Sequence, residues 1–351
     1  MGLATELAIS LSGSISSRGQ VEITRILKHP RKILCLPAQD DGEVLMALPA
    51  IRSLRRHYRE ALLCLFLSEE KRGLWHFDDE VDEVIEFRPD LMKGITSKEF
   101  RRIYYLLRQR HFDLILDLNY RPQTLWCYLL SSSRPQVFLG MQHPAVDKFR
   151  NLIVRDRSLP RDEVQRNLSL LRVLGIEYHS SAVIWPKLAD SEGKREFREK
   201  LKNDGLRKHQ TVLALDGGAW ERRQIQDFLS SLDAKHKLVV LLIGGPPIGT
   251  DLGNVHFIHL ESPAASEQAE AIACSHGFIG VKNDLFSMAY LLKVPSVIAV
   301  PDGSRGLPAE GPHLRIVPVR GRVTFPQPAA KLLLEELAQR EKTERSVPRG
   351  E

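Results

Sequence analysis

Three carboxylates crowd the point where a short apolar run gives way to a helical pattern. Asp40, Asp41 and Glu43 follow the run Ile33–Leu36, and Gly42 among them permits a tight backbone turn. A carboxylate in such a turn can accept a proton from a hydroxyl group and so act as a general base. The same side chains can instead cap the following helix and interact with its positive end. The local sequence favours capping and leaves catalysis open.

A second group with chemical potential follows an apolar run in the other half of the chain. Gly217 and Gly218 come directly after Asp216, and Arg222 and Arg223 follow them closely. Glycines let the backbone approach a phosphate, N–H groups at a helix start can bind it, and arginine adds charge-assisted hydrogen bonds. An ordinary strand-to-helix turn with two solvated arginines explains the same residues.

Basic residues recur along two helical patterns of the N-terminal half. The first pattern contains Arg52, Arg55, Arg56 and Arg59, and the second contains Lys98, Arg101, Arg102, Arg108 and Arg110. Spacing alone favours solvated helix faces. Contact with anionic lipid head groups or with a phosphorylated acceptor is the alternative.

Short apolar runs alternate with helical patterns and place these residues. In the first half, strands are predicted at Ile33–Leu36, Leu62–Leu67, Val84–Phe87, Leu114–Leu118 and Val137–Leu139. In the second half, strands are predicted at Thr211–Leu215, Leu238–Ile243, Val255–Ile258, Phe278–Val281 and Ser296–Val300. Such alternation predicts an α/β fold of βαβ units, in which parallel sheets are covered on both faces.

The length of 351 residues suits two domains. Ile176–Ala189 contains a proline and little pattern, which makes it the predicted linker. We predict an N-terminal extension (1–30), two Rossmann-like domains (31–178 and 179–340) and a disordered tail (341–351). Ligands of doubly wound sheets bind beyond the carboxyl ends of the strands, so chemistry is expected just after the strand ends.

Composition narrows the class of protein. Hydrophobic residues make up 43% and charged residues 27%, as in ordinary globular domains. The net charge of +6 is too small for a dedicated nucleic-acid binder but suits work on phosphates or at an anionic membrane face. The four cysteines form no Cys-x-x-Cys pair, which predicts buried thiols in a reducing cytoplasm and no zinc site. We see neither a secretory signal nor a run of the ~18–20 apolar residues that a spanning helix needs.

The stretch from Ile33 to Tyr58 resembles the opening of the family 9 glycosyltransferases, which include the ADP-heptose:lipopolysaccharide heptosyltransferases. That opening is a strand, a short loop, Gly-Asp-Val and a helix of the pattern Pro-Ala-Leu/Ile-x-x-Leu-basic. The matching residues are Gly42, Val44, Pro49, Ala50, Leu54 and Arg55. Further likenesses follow in the family's order at Phe112–Leu118, Asn167–Ile176, Val239–Pro246 and Gly280–Pro301, so that the resemblance spans roughly residues 31–340.

The resemblance implies a GT-B fold of two tandem Rossmann-like, doubly wound domains that face a central cleft. In this family the N-terminal domain binds the acceptor and the C-terminal domain binds the nucleotide sugar. The resemblance also implies that the last predicted helix, residues 329–340, packs back near the N-terminal domain.

The resemblance assigns roles to particular residues. The family's catalytic Asp falls on Glu43, which becomes the expected base, with Asp41 as its substitute. Donor contacts are expected from Gly217, Gly218, Arg222, Arg223, Lys282, Asn283 and Asp284. Acceptor contacts are expected from Asp40, Arg55 and Arg56.

Two segments depart from the family pattern. The family's Asp, Ser, Gly and His of the nucleotide segment fall on Lys282, Asn283, Asp284 and Ser287. Its His-Pro-Gly-Ala loop appears here as Asp216–Ala219.

The expected function is that of an inverting, metal-independent glycosyltransferase. It would move a heptose-like sugar from a nucleotide donor such as ADP-heptose to a lipopolysaccharide-core or other surface glycan, with no cofactor besides the donor. We expect a cytoplasmic protein, with peripheral contact to the cytoplasmic face of the inner membrane and no nucleic-acid partner. The alternative is a catalytically inactive GT-B protein that acts as a binding or assembly scaffold.

Overall fold

The chain divides into two compact units, Met1–Val183 and Ile184–Glu351. The structure is a computed structural model that describes residues 23–39, 44–75, 80–119, 121–155, 162–177, 192–203, 206, 210–231, 238–247, 255–302, 304, 307–308, 310–311, 313–320 and 324–346. The division falls inside the predicted linker, of which only Ile176 and Glu177 are described.

The first unit is built on a six-stranded parallel sheet of order β3-β2-β1-β4-β5-β6. Its strands are β1 (Lys32–Leu36), β2 (Leu62–Ser68), β3 (Glu83–Phe87), β4 (Leu114–Asp117), β5 (Val137–Met141) and β6 (Leu152–Val154). Its helices are α1 (Ile23–Lys28), α2 (Leu48–His57), α3 (Lys98–Arg110), α4 (Thr124–Ser132) and α5 (Glu163–Leu171).

Continuous apolar runs give the central strands of this sheet, because side chains on both faces are buried beneath helices. On one face, the rings of Phe66 and Phe87 lie 4.6 Å apart, and Trp126 from α4 lies 4.3 Å from Phe87. The helix α3 begins where the Ser97 hydroxyl accepts a hydrogen bond from the Phe100 N–H at 3.1 Å. Its apolar stripe packs into the same core.

The short helix α1 lies within the predicted N-terminal extension. The Tyr58 hydroxyl, at the end of α2, donates a hydrogen bond to the Leu27 carbonyl at 2.6 Å. Tyr58 is only 7% exposed, and burial raises the pKa of its hydroxyl to about 12. The end of α1 is therefore attached to the first sheet's helical layer.

The second unit repeats the topology in the sheet order β12-β11-β10-β7-β8-β9, again parallel throughout. Its strands are β7 (Thr211–Asp216), β8 (Leu238–Ile243), β9 (Val255–Leu260), β10 (Gly277–Val281), β11 (Ser296–Pro301) and β12 (Leu314–Val319). Its helices are α6 (Glu192–Asn203), α7 (Arg222–Ser230), α8 (Ala265–Ala273), α9 (Asp284–Leu291) and α10 (Gln327–Ser346).

Each sheet has one point at which the strand order reverses. In the first sheet this switch point lies between β1 and β4, and in the second it lies between β7 and β10. Helices leave the two central strands toward opposite faces there, which opens a crevice at the carboxyl ends. The described switch-point residues are therefore the first place to look for a binding site.

All ten predicted strands are present, and the predicted α/β class of two doubly wound domains is confirmed. The edge strands β6 and β12 were not predicted. The residues of β6 are only partly buried, and β12 contains Pro318, so neither has the continuous apolar run of a central strand.

One prediction about the chain's end is wrong. The predicted disordered tail began at residue 341, but α10 continues through Ser346. Its last residues are mostly Glu, Lys and Arg, which favour helix. Ala330, Leu333 and Leu334 of this helix belong to the core of the second unit. The expected packing of the helix near the N-terminal domain stays a prediction.

Candidate functional site

A buried aspartate lies at the switch point of the second sheet. Asp216 is the last residue of β7 and is only 4% exposed. Its carboxylate accepts a hydrogen bond from the Asn283 side-chain amide at 2.7 Å. The side-chain oxygen (Oδ1) of Asn283 in turn accepts the Phe286 N–H at 3.1 Å and so caps α9. One asparagine thus links the end of β7 to the start of α9.

Among the described residues, Asp216 is surrounded by hydrogen-bond donors and has no ion-pairing partner. Burial raises the pKa of its carboxyl group, while Asn283 and the backbone N–H groups of Val281, Gly218 and Ala219 oppose that rise. No residue in the described part of the chain forms an ion pair with it. Buried carboxylates are usually neutralised by a cation, so this one is a candidate for function.

The glycine pair after β7 serves packing as well as backbone freedom. A Cβ on Gly217 would overlap the Gly244 carbonyl oxygen and come within 2.7 Å of the Leu242 side chain. A Cβ on Gly245 would overlap the Gly217 carbonyl group. The contact between the turns after β7 and β8 therefore requires a glycine at position 217. This packing explains the glycine without the predicted role at a phosphate.

Gly218 is exposed and has room. The nearest atom to a Cβ at this position would be an Asp216 carboxylate oxygen at 3.7 Å. A ligand at the Gly218 backbone would therefore lie close to the Asp216 carboxylate.

The arginines of the predicted phosphate site begin α7. Arg222 and Arg223 are exposed, and Arg223 lies 3.9 Å from Asp227 in a weak, solvated pair. The helix start is closed by a capping box, in which Glu221 accepts a backbone N–H and Gln224 accepts the Glu221 N–H at 3.2 Å. Because Arg222 and Arg223 are exposed, their side chains can reorient toward a ligand at the carboxyl edge.

The turn from β10 to α9 brings the other predicted donor residues to the same edge. Lys282, Asn283 and Asp284 are half-buried there. Beneath them the buried Ser287 hydroxyl donates to the Asn283 carbonyl at 3.2 Å. The structure thus places Gly217, Gly218, Lys282, Asn283 and Asp284 around one switch point, with Asp216 at its centre.

Sequence reasoning missed Asp216 and Glu221 as candidates. The signal for Asp216 was a single charged residue at the end of an otherwise apolar strand, in the loop that departs from the family's His-Pro-Gly-Ala. Glu221 carries the signal of a helix cap followed three residues later by Gln224.

The predicted catalytic residues Asp41 and Glu43, and the predicted acceptor residue Asp40, lie outside the described residues. Gln39, which precedes them, holds the end of β1 to the end of β2. Its amide donates to the Pro37 carbonyl at 2.8 Å and its oxygen accepts the Ser68 N–H at 2.9 Å. The loop therefore starts from a fixed point at the carboxyl edge.

The switch point of the first sheet also carries an aspartate, but a neutralised one. Asp117 ends β4 and forms a buried ion pair with Arg150, which also donates to the Met141 carbonyl. Burial lowers the pKa of Arg150, but the nearby negative groups, Asp117 first, produce a net rise. This pair ties β4 to the segment before β6 and is structural.

The predicted acceptor residue Arg55 lies at the amino edge of the first sheet. Its guanidinium donates to the carbonyls of Glu80 and Ala61, each at 2.9 Å, and pairs with Asp82. Because α2 runs away from the carboxyl edge, it carries Arg55 and the exposed Arg56 to the opposite edge. These contacts give Arg55 a structural role and do not support an acceptor contact.

Among the described residues there is no group of three or more His, Cys, Asp or Glu side chains arranged to hold a metal ion. No helix in the described ranges is both long and apolar enough to cross a membrane.

Neither a protein-family model nor a curated protein matches the sequence. Solved structures do match. The E. coli heptosyltransferase WaaC with ADP is 16% identical, with a TM-score of 0.66 over 87% of this chain and 99% of that chain. The E. coli ADP-heptose LPS heptosyltransferase II is 17% identical, with a TM-score of 0.64 over 89% and 99%. A family 9 glycosyl transferase from Veillonella parvula is 15% identical, with a TM-score of 0.63 over 83% and 87%.

This chain therefore has the two-domain GT-B fold of these proteins. The resemblance to family 9 is confirmed as structural similarity, at a sequence identity that fits a divergent chain.

Proposed function

We propose that this chain is a nucleotide-sugar-dependent glycosyltransferase. The observation that carries the proposal is its GT-B fold, which aligns over nearly the full length of two E. coli heptosyltransferases. One of those structures contains ADP, which supports a nucleotide as the partner of this chain too.

The donor site is the carboxyl edge of the second sheet. Lys282, Asn283 and Asp284 line it from the β10–α9 turn, and Gly218 and Arg222 line it from the β7–α7 turn. Cationic side chains there can stabilise the negative charge that develops on a departing nucleoside diphosphate.

The reaction is a single displacement that inverts the anomeric centre. An acceptor hydroxyl oxygen attacks the anomeric carbon while the bond from that carbon to the diphosphate oxygen breaks. Glu43 takes the hydroxyl proton, with Asp41 as the substitute base, and the nucleoside diphosphate leaves. The charge of the leaving group is met by Arg222, Arg223 and Lys282, and no metal or further cofactor takes part.

The sugar is heptose-like, with ADP-heptose as the first donor to assay. The acceptor is a lipopolysaccharide-core or other surface glycan, and the protein works in the cytoplasm at the inner membrane. These assignments rest on the sequence resemblance and on the names of the structural neighbours.

Replacing the base tests the mechanism. Glu43→Gln should lower transfer by roughly 10²–10⁴-fold, because the proton acceptor is lost, while the affinity for ADP stays unchanged. Asp41→Asn should keep most of the activity if Glu43 is the base, and should lose it if Asp41 takes that role. Normal turnover by Glu43→Gln, measured as release of ADP from ADP-heptose with a core-glycan acceptor, would falsify this role for Glu43.

A non-catalytic scaffold is the second candidate, and one observation favours it. The buried carboxylate of Asp216, which has no ion-pairing cation among the described residues, stands at the same carboxyl edge as the proposed donor site. Calorimetric titration of the folded protein with ADP and UDP separates the two. Micromolar binding that weakens in Lys282→Ala supports the transferase, whereas no binding at millimolar nucleotide supports the scaffold.

A further inference from the structure

Two carboxylates enclose the turn that connects β7 to α7. Asp216 ends the strand; burial raises the pKa of its carboxyl group, and hydrogen bonds from the N–H groups of Gly218 and Ala219 oppose that rise. Glu221 caps α7 and accepts the backbone N–H of Gln224. The turn Gly217–Trp220 is thus flanked on both sides by acidic side chains of the chain itself.

A turn of this kind is otherwise well suited to bind an anion. It follows a parallel strand, contains two glycines and leads into a helix, so its backbone N–H groups point toward the carboxyl edge. Here the N–H groups of Gly218 and Ala219 already donate to the Asp216 carboxylate, and the N–H of Gln224 at the helix start donates to Glu221. A phosphate approaching them would meet like charge at short range in a partly desolvated site, where repulsion is strong.

Asp216 is held in this position. Its carboxylate is fixed by the Asn283 amide, and on the other side a Cβ at Gly280 would come within 3.1 Å of the Asp216 Cβ. The hydrogen bonds from Asn283 and from the N–H groups of Val281, Gly218 and Ala219 hold the carboxylate beside the turn. The described residues supply no ion-pairing cation to neutralise it.

We propose that Asp216 and Glu221 are built-in anions that exclude phosphate from the turn Gly217–Trp220. The diphosphate of the donor is held instead by two cationic side chains at the carboxyl edge of the second sheet, Lys282 and Arg222. This inference rests on the proposed nucleotide-sugar site and defines which part of it carries the phosphate contacts.

The test is a gain of binding. The unaltered chain, Asp216→Ser and Glu221→Ser are titrated by calorimetry with inorganic pyrophosphate and with ADP. Asp227→Ser is the matched control, because it removes one carboxylate from the exposed face of the same helix. Asp216→Ser should bind pyrophosphate about tenfold more tightly than the unaltered chain, Glu221→Ser should show a smaller gain, and Asp227→Ser should show none beyond about twofold.

Equal affinities of Asp216→Ser and Asp227→Ser overturn the inference, as does a loss of pyrophosphate binding in Asp216→Ser. Circular dichroism verifies the fold of each variant. If Asp216→Ser does not fold, the isosteric Asp216→Asn and the surface variant Glu221→Ser carry the test with the same expected direction.

The outcomes for the two proposals are separate. A chain that binds no nucleotide, but gains pyrophosphate binding in Asp216→Ser, keeps this inference and loses the proposed function. A chain that binds ADP and transfers sugar, but gains nothing in the variants, keeps the proposed function and loses this inference.

Discussion

Asn283 uses both ends of one amide group, and its removal therefore has two costs. Asn283→Ala deletes the cap of α9, which is worth about 1 kcal/mol, and leaves the buried Asp216 carboxylate without its side-chain donor, worth about 1–3 kcal/mol more. We expect the free energy of unfolding to fall by about 2–4 kcal/mol in urea denaturation.

Ser97→Ala is the matched control for Asn283, because the Ser97 hydroxyl caps α3 and makes no other side-chain hydrogen bond with the described residues. It should cost only about 1 kcal/mol. Equal losses in the two variants would show that the link from Asn283 to Asp216 contributes nothing to stability.

The thiol groups provide a second test at the scale of single residues. Burial raises the pKa of Cys64 to about 12 and that of Cys274 to about 11, and it also raises those of Cys35 and Cys127. Thiolate, not thiol, is the nucleophile. At pH 8 the folded chain should therefore resist alkylation by iodoacetamide, and modification should begin only as the pH rises toward the pKa of Cys274. Mass spectrometry checks this, with urea-unfolded protein as the fully reactive control.

The donor-side candidates came from residue patterns and from the family resemblance, but charge compensation could not be predicted from either. Gly217 was chosen because glycines after a strand permit a tight turn, and Lys282 and Asn283 because they align with the family's nucleotide segment. The ion pair of Asp117 depends on Arg150, which arrives from a distant segment, whereas no cation pairs with Asp216 among the described residues. Single-sequence patterns carry no information about that pairing. The same limit applies to Arg55, whose partners lie beyond the next strand.

At the scale of elements, the turns after β7 and β8 pack backbone against backbone. Gly217→Ala forces a Cβ into the Gly244 carbonyl and the Leu242 side chain, so we expect a loss of about 1–3 kcal/mol in stability. Gly218→Ala is the neighbouring control and should change stability by less than about 0.5 kcal/mol, because the nearest atom to its Cβ is an Asp216 oxygen at an ordinary contact distance of 3.7 Å. Thermal unfolding of the two variants side by side measures the difference. A Gly218→Ala chain that is the less stable of the two would contradict this packing.

Apolar periodicity predicted the central strands of both sheets, but it missed one edge strand of each sheet. Central strands such as β8 are buried at every position and so are apolar throughout. Edge strands such as β12 need only half of that burial, and their residues look like loop residues in the sequence. Both missing strands, β6 and β12, lie at sheet edges, although the opposite edge strands β3 and β9 were predicted.

At the scale of the whole molecule, the positive charge is concentrated in one segment. Residues 88–110 contain seven Lys or Arg and two Asp or Glu, while the whole chain has a net charge of only +6. Several of these cations are used within the fold, since Arg88, Arg102 and Arg110 form ion pairs. Lys98 and Arg101 form none with described residues and lie beside Tyr105, which is 60% exposed, on one face of α3.

This face is the part of the molecule we expect at an anionic membrane. The double variant Lys98→Glu/Arg101→Glu should lose most of its co-sedimentation with vesicles of phosphatidylglycerol and phosphatidylcholine. Binding of the unaltered chain should weaken with salt, since the screening length falls to about 10 Å at 0.1 M. Lys293→Glu/Lys331→Glu makes the same change of charge in the second unit and is the control. Equal binding by both double variants would argue against this face.

The hydrogen bond from Tyr58 to Leu27 decides where a shortened chain can begin. A version starting at residue 31, the predicted domain boundary, would keep the Tyr58 hydroxyl in its buried position but remove the carbonyl that accepts its hydrogen bond. A version starting at residue 23 would retain that acceptor together with α1. For recombinant expression, the practical start of the first domain is therefore the helix that the sequence assigned to a loose extension.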